Sequence, residues 1–222
     1  MRVIAPHVRD LVLVGGGHSN IQVLKYFGMQ SQPGVRLTLI STYIKSPYSG
    51  MMAGWVSGQY QSDSTHINLE RLCQFAGARY IRGEVEGLAL EQQRILLLGR
   101  PSIRYDLLSL NVGSINPANF KNAFSLKPIA EFEKQLELLD KSVSETQTLT
   151  IVGSGAAGVE MSFALKARYQ DKLRINLVGG ELLSDIRPGA AQIIKKKIKV
   201  KKVNFIEGHA TEFKNRTLLF KN

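Results

Sequence analysis

Short apolar runs, each bounded by glycine or polar residues, recur along the chain: Leu11–Val14 (LVLV), Leu37–Ile40 (LTLI), Leu149–Val152 (LTIV) and Ile175–Val178 (INLV). Runs this short that do not alternate with polar residues predict strands of a parallel sheet buried on both faces. Each of the first and third is followed by a glycine-rich turn and then a stretch with helical character. Leu11–Phe27 reads LVLVGGGHSNIQVLKYF and Leu149–Leu165 reads LTIVGSGAAGVEMSFAL, an offset of 138 residues. The same offset carries Leu37–Ser41 (LTLIS) onto Ile175–Gly179 (INLVG). Two strand–turn–helix–strand units in one register predict a duplicated βαβ unit.

The other elements follow from the same patterns. His66–Ala76 reads as a helix, and 78–98 as a small insertion of two or three strands interrupted by Gly83 and Gly87. Tyr105–Val112 (YDLLSLNV) reads as another buried strand ending at Gly113. Residues 114–127, with Pro117 and three asparagines, read as a connector. Pro128 opens a helix to about Ser142, since proline suits the first turn. Pro188–Lys199 reads as a helix, and Val203–Ile206 and Thr217–Phe220 as strands. The fold class expected is α/β, with two Rossmann-like units of three-layer ββα/βαβ type, the second incomplete. The boundaries are 1–116 for the first unit, 117–127 for the linker and 128–222 for the second.

The glycine turns carry the candidate chemistry. Gly153-Ser154-Gly155-Ala156-Ala157-Gly158 completes G-x-G-x-x-G between a strand and a helix. The first glycine permits the tight turn, the second lets backbone approach a pyrophosphate, and the third lets the helix pack against the strand. The helix N-terminus supplies amide donors. In this βαβ setting a dinucleotide site is favoured over a purely structural turn. The first copy, Gly15-Gly16-Gly17-His18-Ser19-Asn20, has asparagine at the third position. That residue implies either wider helix–strand spacing or an amide that touches the ligand. His18 and Ser19 are either phosphate donors or loop and cap residues. An acid normally ends the second strand and binds ribose; here Ser41 and Gly179 hold those positions, with Glu181 two residues beyond.

Composition adds exclusions. The 222 residues are 44% apolar and 21% charged, which argues for a globular chain rather than a disordered one. One cysteine, Cys73, excludes an internal disulfide, a four-cysteine zinc site and a two-cysteine redox pair. At core spacing in a helix it reads as packing; no metal site is expected. No apolar run reaches the roughly 18 residues that span a bilayer, and MRVIAPHVRD has no secretory pattern. A cytoplasmic protein is expected. The net charge of +11 is concentrated: Lys195, Lys196, Lys197, Lys199, Lys201 and Lys202 lie within eight positions, and without them it falls to +5. A solvated helix face passing into a strand is the favoured reading of Lys195–Lys202, ahead of contact with an anionic membrane surface. Nucleic acid ranks last, because aromatic interleaving is absent.

A first glycine turn, then YDLLSLNVGS in the place of a "YDxLVIATGS" strand, then a second glycine turn, resemble the two-dinucleotide-binding flavoprotein oxidoreductases. That group includes pyridine nucleotide-disulfide reductases and type II NADH dehydrogenases. VGGGHSN, SPYSGMMAGWVSGQY and HINLERLCQFAGARYI look closest to the NADH dehydrogenase-like module often fused ahead of selenide, water dikinase. The resemblance implies FAD and NAD(P)H as cofactors. Gly15, Gly16, Gly17, His18, Ser19 and Asn20 would form the FAD pyrophosphate turn, with Ser41 at the ribose position. Pro47, Tyr48 and Met51 would lie beside the isoalloxazine, Val85 at adenine, and Gly113 with Ser114 at the close of the flavin site. Gly153, Gly155, Ala156, Ala157 and Gly158 would hold NAD(P)H, with Gly179 at its ribose and Glu160 near the nicotinamide. The catalytic residue itself is unassigned.

The implied reaction is hydride transfer from NAD(P)H to flavin, then to an unidentified small-molecule acceptor. No cysteine pair follows the second strand, so dithiol chemistry is excluded. The alternative is a non-catalytic nucleotide-binding or regulatory module, or a remnant, associated with selenide, water dikinase. A closing strand of the second unit is expected at 243–251 by the repeat, beyond the last residue. The chain therefore reads as truncated, completed by a homodimer partner, a missing C-terminal region or a dikinase.

Overall fold

The computed structural model describes residues 8–115, 120, 123–215 and 217–221. Strand β1 (Arg9–Val14) leads through the first glycine turn to helix α1 (His18–Met29) and β2 (Val35–Ser41). Then come β3 (Lys45–Pro47), α2 (Met52–Val56), β4 (His66–Asn68), α3 (Leu69–Phe75) and β5 (Arg79–Arg82). Strands β6 (Val85–Ala89), β7 (Arg94–Leu97), β8 (Arg100–Arg104) and β9 (Leu107–Leu110) follow. After α4 (Ile129–Ser142) the second copy runs β10 (Gln147–Val152), α5 (Ala156–Tyr169), β11 (Leu173–Gly179), α6 (Pro188–Val200) and β12 (Val203–Glu207). Strands β13 (Ala210–Lys214) and β14 (Thr217–Phe220) end the described chain. The connector read over 117–127 falls in part on 117–119 and 121–122, outside the described residues.

Two compact units result: Met1–Tyr48 with His66–Ser114, and Ser49–Thr65 with Ile115–Asn222. In the first, a parallel sheet runs β5-β2-β1-β9. Side-chain alternation along its strands builds two cores. Leu13, Leu37 and Leu39 face one way and pack with Ile21 and Leu24 of α1 and Leu69 and Cys73 of α3. Val12, Val14 and Ile40 face the other way and pack with Ile95 and Leu97 of the antiparallel β6-β7-β8 sheet. Helices, parallel sheet and antiparallel sheet thus form the three-layer arrangement expected.

The second unit repeats the parallel part as β10-β11-β12. Its core joins Leu173, Ile175 and Leu177 of β11 to Val159, Met161 and Leu165 of α5, and to Ile198 of α6. Met52 and Val56 of α2 belong to the same core. The first glycine amide of each copy makes the same bond: Gly15 N–H donates to the Ile40 carbonyl (2.8 Å) and Gly153 N–H to the Val178 carbonyl (2.7 Å). The 138-residue repeat is therefore a repeat of hydrogen bonds as well as of sequence.

Three sequence expectations need correction. His66–Asn68 is a short strand paired with Lys45–Pro47, and the helix begins only at Leu69, where Asn68 accepts the Arg71 amide as a cap. The strand read over Tyr105–Val112 is not buried along its length: Leu107 and Leu110 are each 56% exposed, because among the described residues β9 lies at the sheet edge and pairs only with β1. Strand β10 is likewise an edge strand among the described residues, so only β11 in that sheet has the predicted deep burial.

Helices α4 and α5 of the second unit are clamped by Asp140. Its carboxylate accepts from Arg168 Nε (2.8 Å) and from the Tyr169 hydroxyl (2.8 Å), while Arg168 Nη1 donates to the Val56 carbonyl (3.2 Å). The Arg168 hydrogen bond holds the Asp140 carboxyl below its ordinary value of 3.8. Because folding lowers this pKa, the clamp stabilises the protein above pH 3.8 and is lost as pH falls through the folded-state value. The side chains are part-exposed (27% for Arg168, 36% for Asp140), which keeps the contribution modest. We predict that Asp140→Asn lowers the urea midpoint by a constant amount between about pH 5 and 8, and that the gap to wild type closes as pH is taken below 3.8.

Candidate functional site

Each glycine turn lies at the C-terminal end of its unit's parallel sheet and opens onto a helix N-terminus. In the first, Gly15 has φ +88°, a conformation that side chains rarely adopt, and a Cβ there would strike the Asn111 backbone. The Ser46 hydroxyl of β3 donates to the Gly16 carbonyl (2.6 Å), and the Leu69 side chain leaves no room for a Cβ at Gly16. Asn20 is fully buried. Its Nδ2 donates to the Val14 (3.1 Å) and Gly15 (2.8 Å) carbonyls, and its Oδ1 accepts from the Ser109 hydroxyl (2.7 Å). All of these partners are internal, so Asn20 ties α1 to the ends of β1 and β9 and holds the turn from beneath. The first intrahelical bond of α1 is Ile21 N–H to the Gly17 carbonyl (3.1 Å). The amides of His18, Ser19 and Asn20 therefore precede the helical ladder. That of Ser19 donates to Asn111 Oδ1 (3.0 Å).

The second turn is built differently. A Cβ at Gly158 would collide with the Gly153 carbonyl oxygen, so α5 crosses β10 at a distance only glycine allows. Gly155 has an ordinary φ of −76° and nothing within 4 Å of a Cβ. Neither backbone strain nor internal packing requires glycine there; the open space above it fits a ligand that approaches the backbone. Val159 N–H makes the first helical bond, to the Gly155 carbonyl (3.1 Å), which leaves Ala156, Ala157 and Gly158 amides ahead of the ladder. At the end of β11, a Cβ on Gly179 would strike Ser154, whose hydroxyl reaches the Gly180 (3.4 Å) and Glu181 (3.3 Å) carbonyls. The Glu181 side chain is exposed beyond it.

The remaining predicted residues are placed as follows. Ser41 Oγ accepts the Tyr43 amide (3.2 Å) and bonds its carbonyl (3.1 Å), closing the turn after β2. Tyr48 stacks on His18, with ring centroids 5.5 Å apart, at the mouth of the first turn. Pro47 lies in β3, whereas Met51 falls in the second unit. Val85 is half-buried on β6, Gly113 is exposed with φ +80°, and Ser114 is exposed beside it. Glu160 is exposed on α5. In α6, Ala191 and Ile198 are buried, and Ile194 packs partly against the same core. The lysines of α6 are exposed, and among them Ile193 and Val200 are 60% and 79% exposed. Among the described residues no helix is long and apolar enough to cross a membrane.

Sequence reasoning missed Asn111 and the roles of Asn20 and Ser154. A signal for Asn111 was present: it replaces the small residue of the "YDxLVIATGS" pattern at the point where β9 meets the glycine turn.

No family model matches the chain. NADH dehydrogenase-like protein YutJ of Bacillus subtilis is 25% identical over 96% of this chain and 59% of its own length. Ferroptosis suppressor protein 1 of Xenopus tropicalis is 27% identical over 88% of the chain and 51% of its length. Among solved structures, reduced Bacillus anthracis CoADR-RHD superposes with a TM-score of 0.78 at 18% identity, over 97% of this chain and 42% of that one. NDH2 of Plasmodium falciparum, in complex with NADH, gives 0.77 at 16% identity, over 95% and 50%. The chain shares the fold of these FAD/NAD-binding, Rossmann-like structures. In sequence the chain is similar to these two relatives, and it spans about half the length of the proteins it matches.

Two outcomes follow from the geometry alone. Gly155→Ala leaves the melting temperature of the ligand-free protein almost unchanged, whereas Gly158→Ala, which forces α5 off β10, lowers it by roughly 5 °C in a thermal scan. Cys73 is buried on α3, and burial, with a contribution from Glu70, pushes its thiol up to about 11. It should therefore stay unreactive toward a disulfide reagent at neutral pH and react stoichiometrically once urea unfolds the chain.

Proposed function

We propose that this chain is the dinucleotide-binding part of an FAD-dependent NAD(P)H oxidoreductase, with FAD on the first glycine turn and NAD(P)H on the second. The observation that carries the reading is Gly155, a glycine that the protein's own packing does not need, set at a helix N-terminus whose amides precede the helical ladder. A pyrophosphate fits that arrangement, because it uses those amides and the positive end of the helix dipole. The first turn offers the same helix start, held in place by Asn20, Ser46 and Leu69.

The roles of the chain's residues follow. Backbone amides of His18 and Ser19, and of Ala156 and Ala157, bind phosphate oxygens. Gly155 admits the pyrophosphate to van der Waals distance. The Tyr48–His18 ring pair flanks the mouth of the first turn. Glu160, exposed on α5 two residues after the last glycine of the second turn, is assigned to the nicotinamide end of NAD(P)H. When bound, the flavin supplies hydride acceptance from NAD(P)H and onward delivery of the electrons to an acceptor. Both NADH dehydrogenase-like protein YutJ and the NADH-bound NDH2 support this reading. A link to selenide, water dikinase has no support among the relatives named above and forms no part of the proposal.

The test is direct. Purified protein titrated with FAD should bind it and show flavin absorbance, and NADH added without oxygen should bleach that absorbance. Gly155→Ala should weaken NADH binding on the order of tenfold while FAD binding is retained. A colourless protein that takes up no FAD overturns the flavoprotein assignment. Flavin that NADH leaves oxidised points instead to a nucleotide-binding module without turnover.

A further inference from the structure

Asn111 stands at the C-terminal end of β9 and reaches over the first glycine turn. Its backbone is fixed at both polar groups: the N–H donates to the Val14 carbonyl (2.8 Å) and the carbonyl accepts from Gly17 N–H (3.1 Å). Its side-chain Oδ1 accepts the Ser19 amide (3.0 Å), one of the α1 donors ahead of the helical ladder. Gly17, the residue before α1, offers no side-chain cap, so Asn111 caps the helix from 92 residues away. A Cβ at Gly17 would strike this carboxamide, whereas at the matching Gly155 it would meet nothing. The space that stands open above the second turn is filled above the first by a neutral acceptor.

We propose that Asn111 is a built-in competitor for the anion site of the first turn. In the free protein its carboxamide oxygen occupies the Ser19 amide, and it rotates off that amide when a dinucleotide pyrophosphate binds. The inference rests on the assignment of FAD to this turn and adds a residue that sets affinity there. The backbone of Asn111 stays in place throughout, anchored at Val14 and Gly17, so only the side chain has to move. The competition gives opposite orders for two measurable quantities. A better cap stabilises the ligand-free protein and weakens FAD binding, and removing the cap does the reverse. A carboxylate at this position holds the helix start more firmly than the carboxamide and also repels phosphate.

The experiment compares wild type, Asn111→Ala and Asn111→Asp in two readouts: the melting temperature without ligand, and FAD dissociation constants from flavin fluorescence. Circular dichroism confirms that each variant is folded. Asn111→Ala should melt lower than wild type yet bind FAD about fivefold tighter, the factor set by losing one helix cap. Asn111→Asp should melt at or above wild type and bind FAD at least tenfold more weakly. If wild type binds FAD and Asn111→Ala binds it equally or less tightly, Asn111 is no competitor, and the assignment of FAD to the turn survives. If neither wild type nor either variant binds FAD, that assignment itself fails and the inference falls with it.

Discussion

Everything this chain offers a ligand depends on how closely a helix N-terminus is held to the end of the strand before it. Helix amides serve an anion only if the turn between strand and helix is short, open and rigid. The two copies meet that requirement by opposite means. In the second, α5 is drawn onto β10 by the absence of a side chain at Gly158. In the first, a side chain is present and performs the attachment: Asn20 bonds both carbonyls at the end of β1 and the Ser109 hydroxyl of β9. One junction is steric and the other polar. A duplicated backbone has thus kept its geometry while exchanging the interaction that enforces it.

The polar junction brings a dependence that the steric one lacks. Ser109 lies in β9 and Asn111 directly follows it, so the first turn is complete only when that edge strand is docked on β1. The Asp10 amide donates to the Asp106 carboxylate (2.7 Å) and the Asp106 amide to the Asp10 carbonyl (2.9 Å), which pins the start of β9. Strand β9 therefore contributes little buried apolar surface and much of the order around the turn.

The duplicated fold was legible because its signals are local. Apolar runs of four residues, glycines at fixed spacing and a constant offset all derive from backbone geometry, which a sequence records directly. Burial was less legible: LLSL and LTIV look like central strands, but a run of apolar residues does not say whether a neighbouring strand lies on each side, and among the described residues both are edges. Strand β13 escaped notice because ATEFK alternates at a largely exposed surface and carries charges. The parts of the site that stayed hidden are those made by partners distant in sequence. Asn20 meets Ser109 across 89 positions and Ser19 meets Asn111 across 92, so neither residue reveals its task without the register of β9 on β1.

The contact between Ser154 and Gly179 carries one more consequence. The end of β11 is where a dinucleotide fold ordinarily places the acid that distinguishes NADH from its phosphorylated form. Here the serine in the middle of the glycine turn fills the volume that any side chain at 179 would enter. Positions 154 and 179 are therefore sterically coupled: neither can accept a larger residue until the other has given up space. A side chain that reaches past the turn from this strand end has to come from beyond Gly180, where Glu181 is exposed.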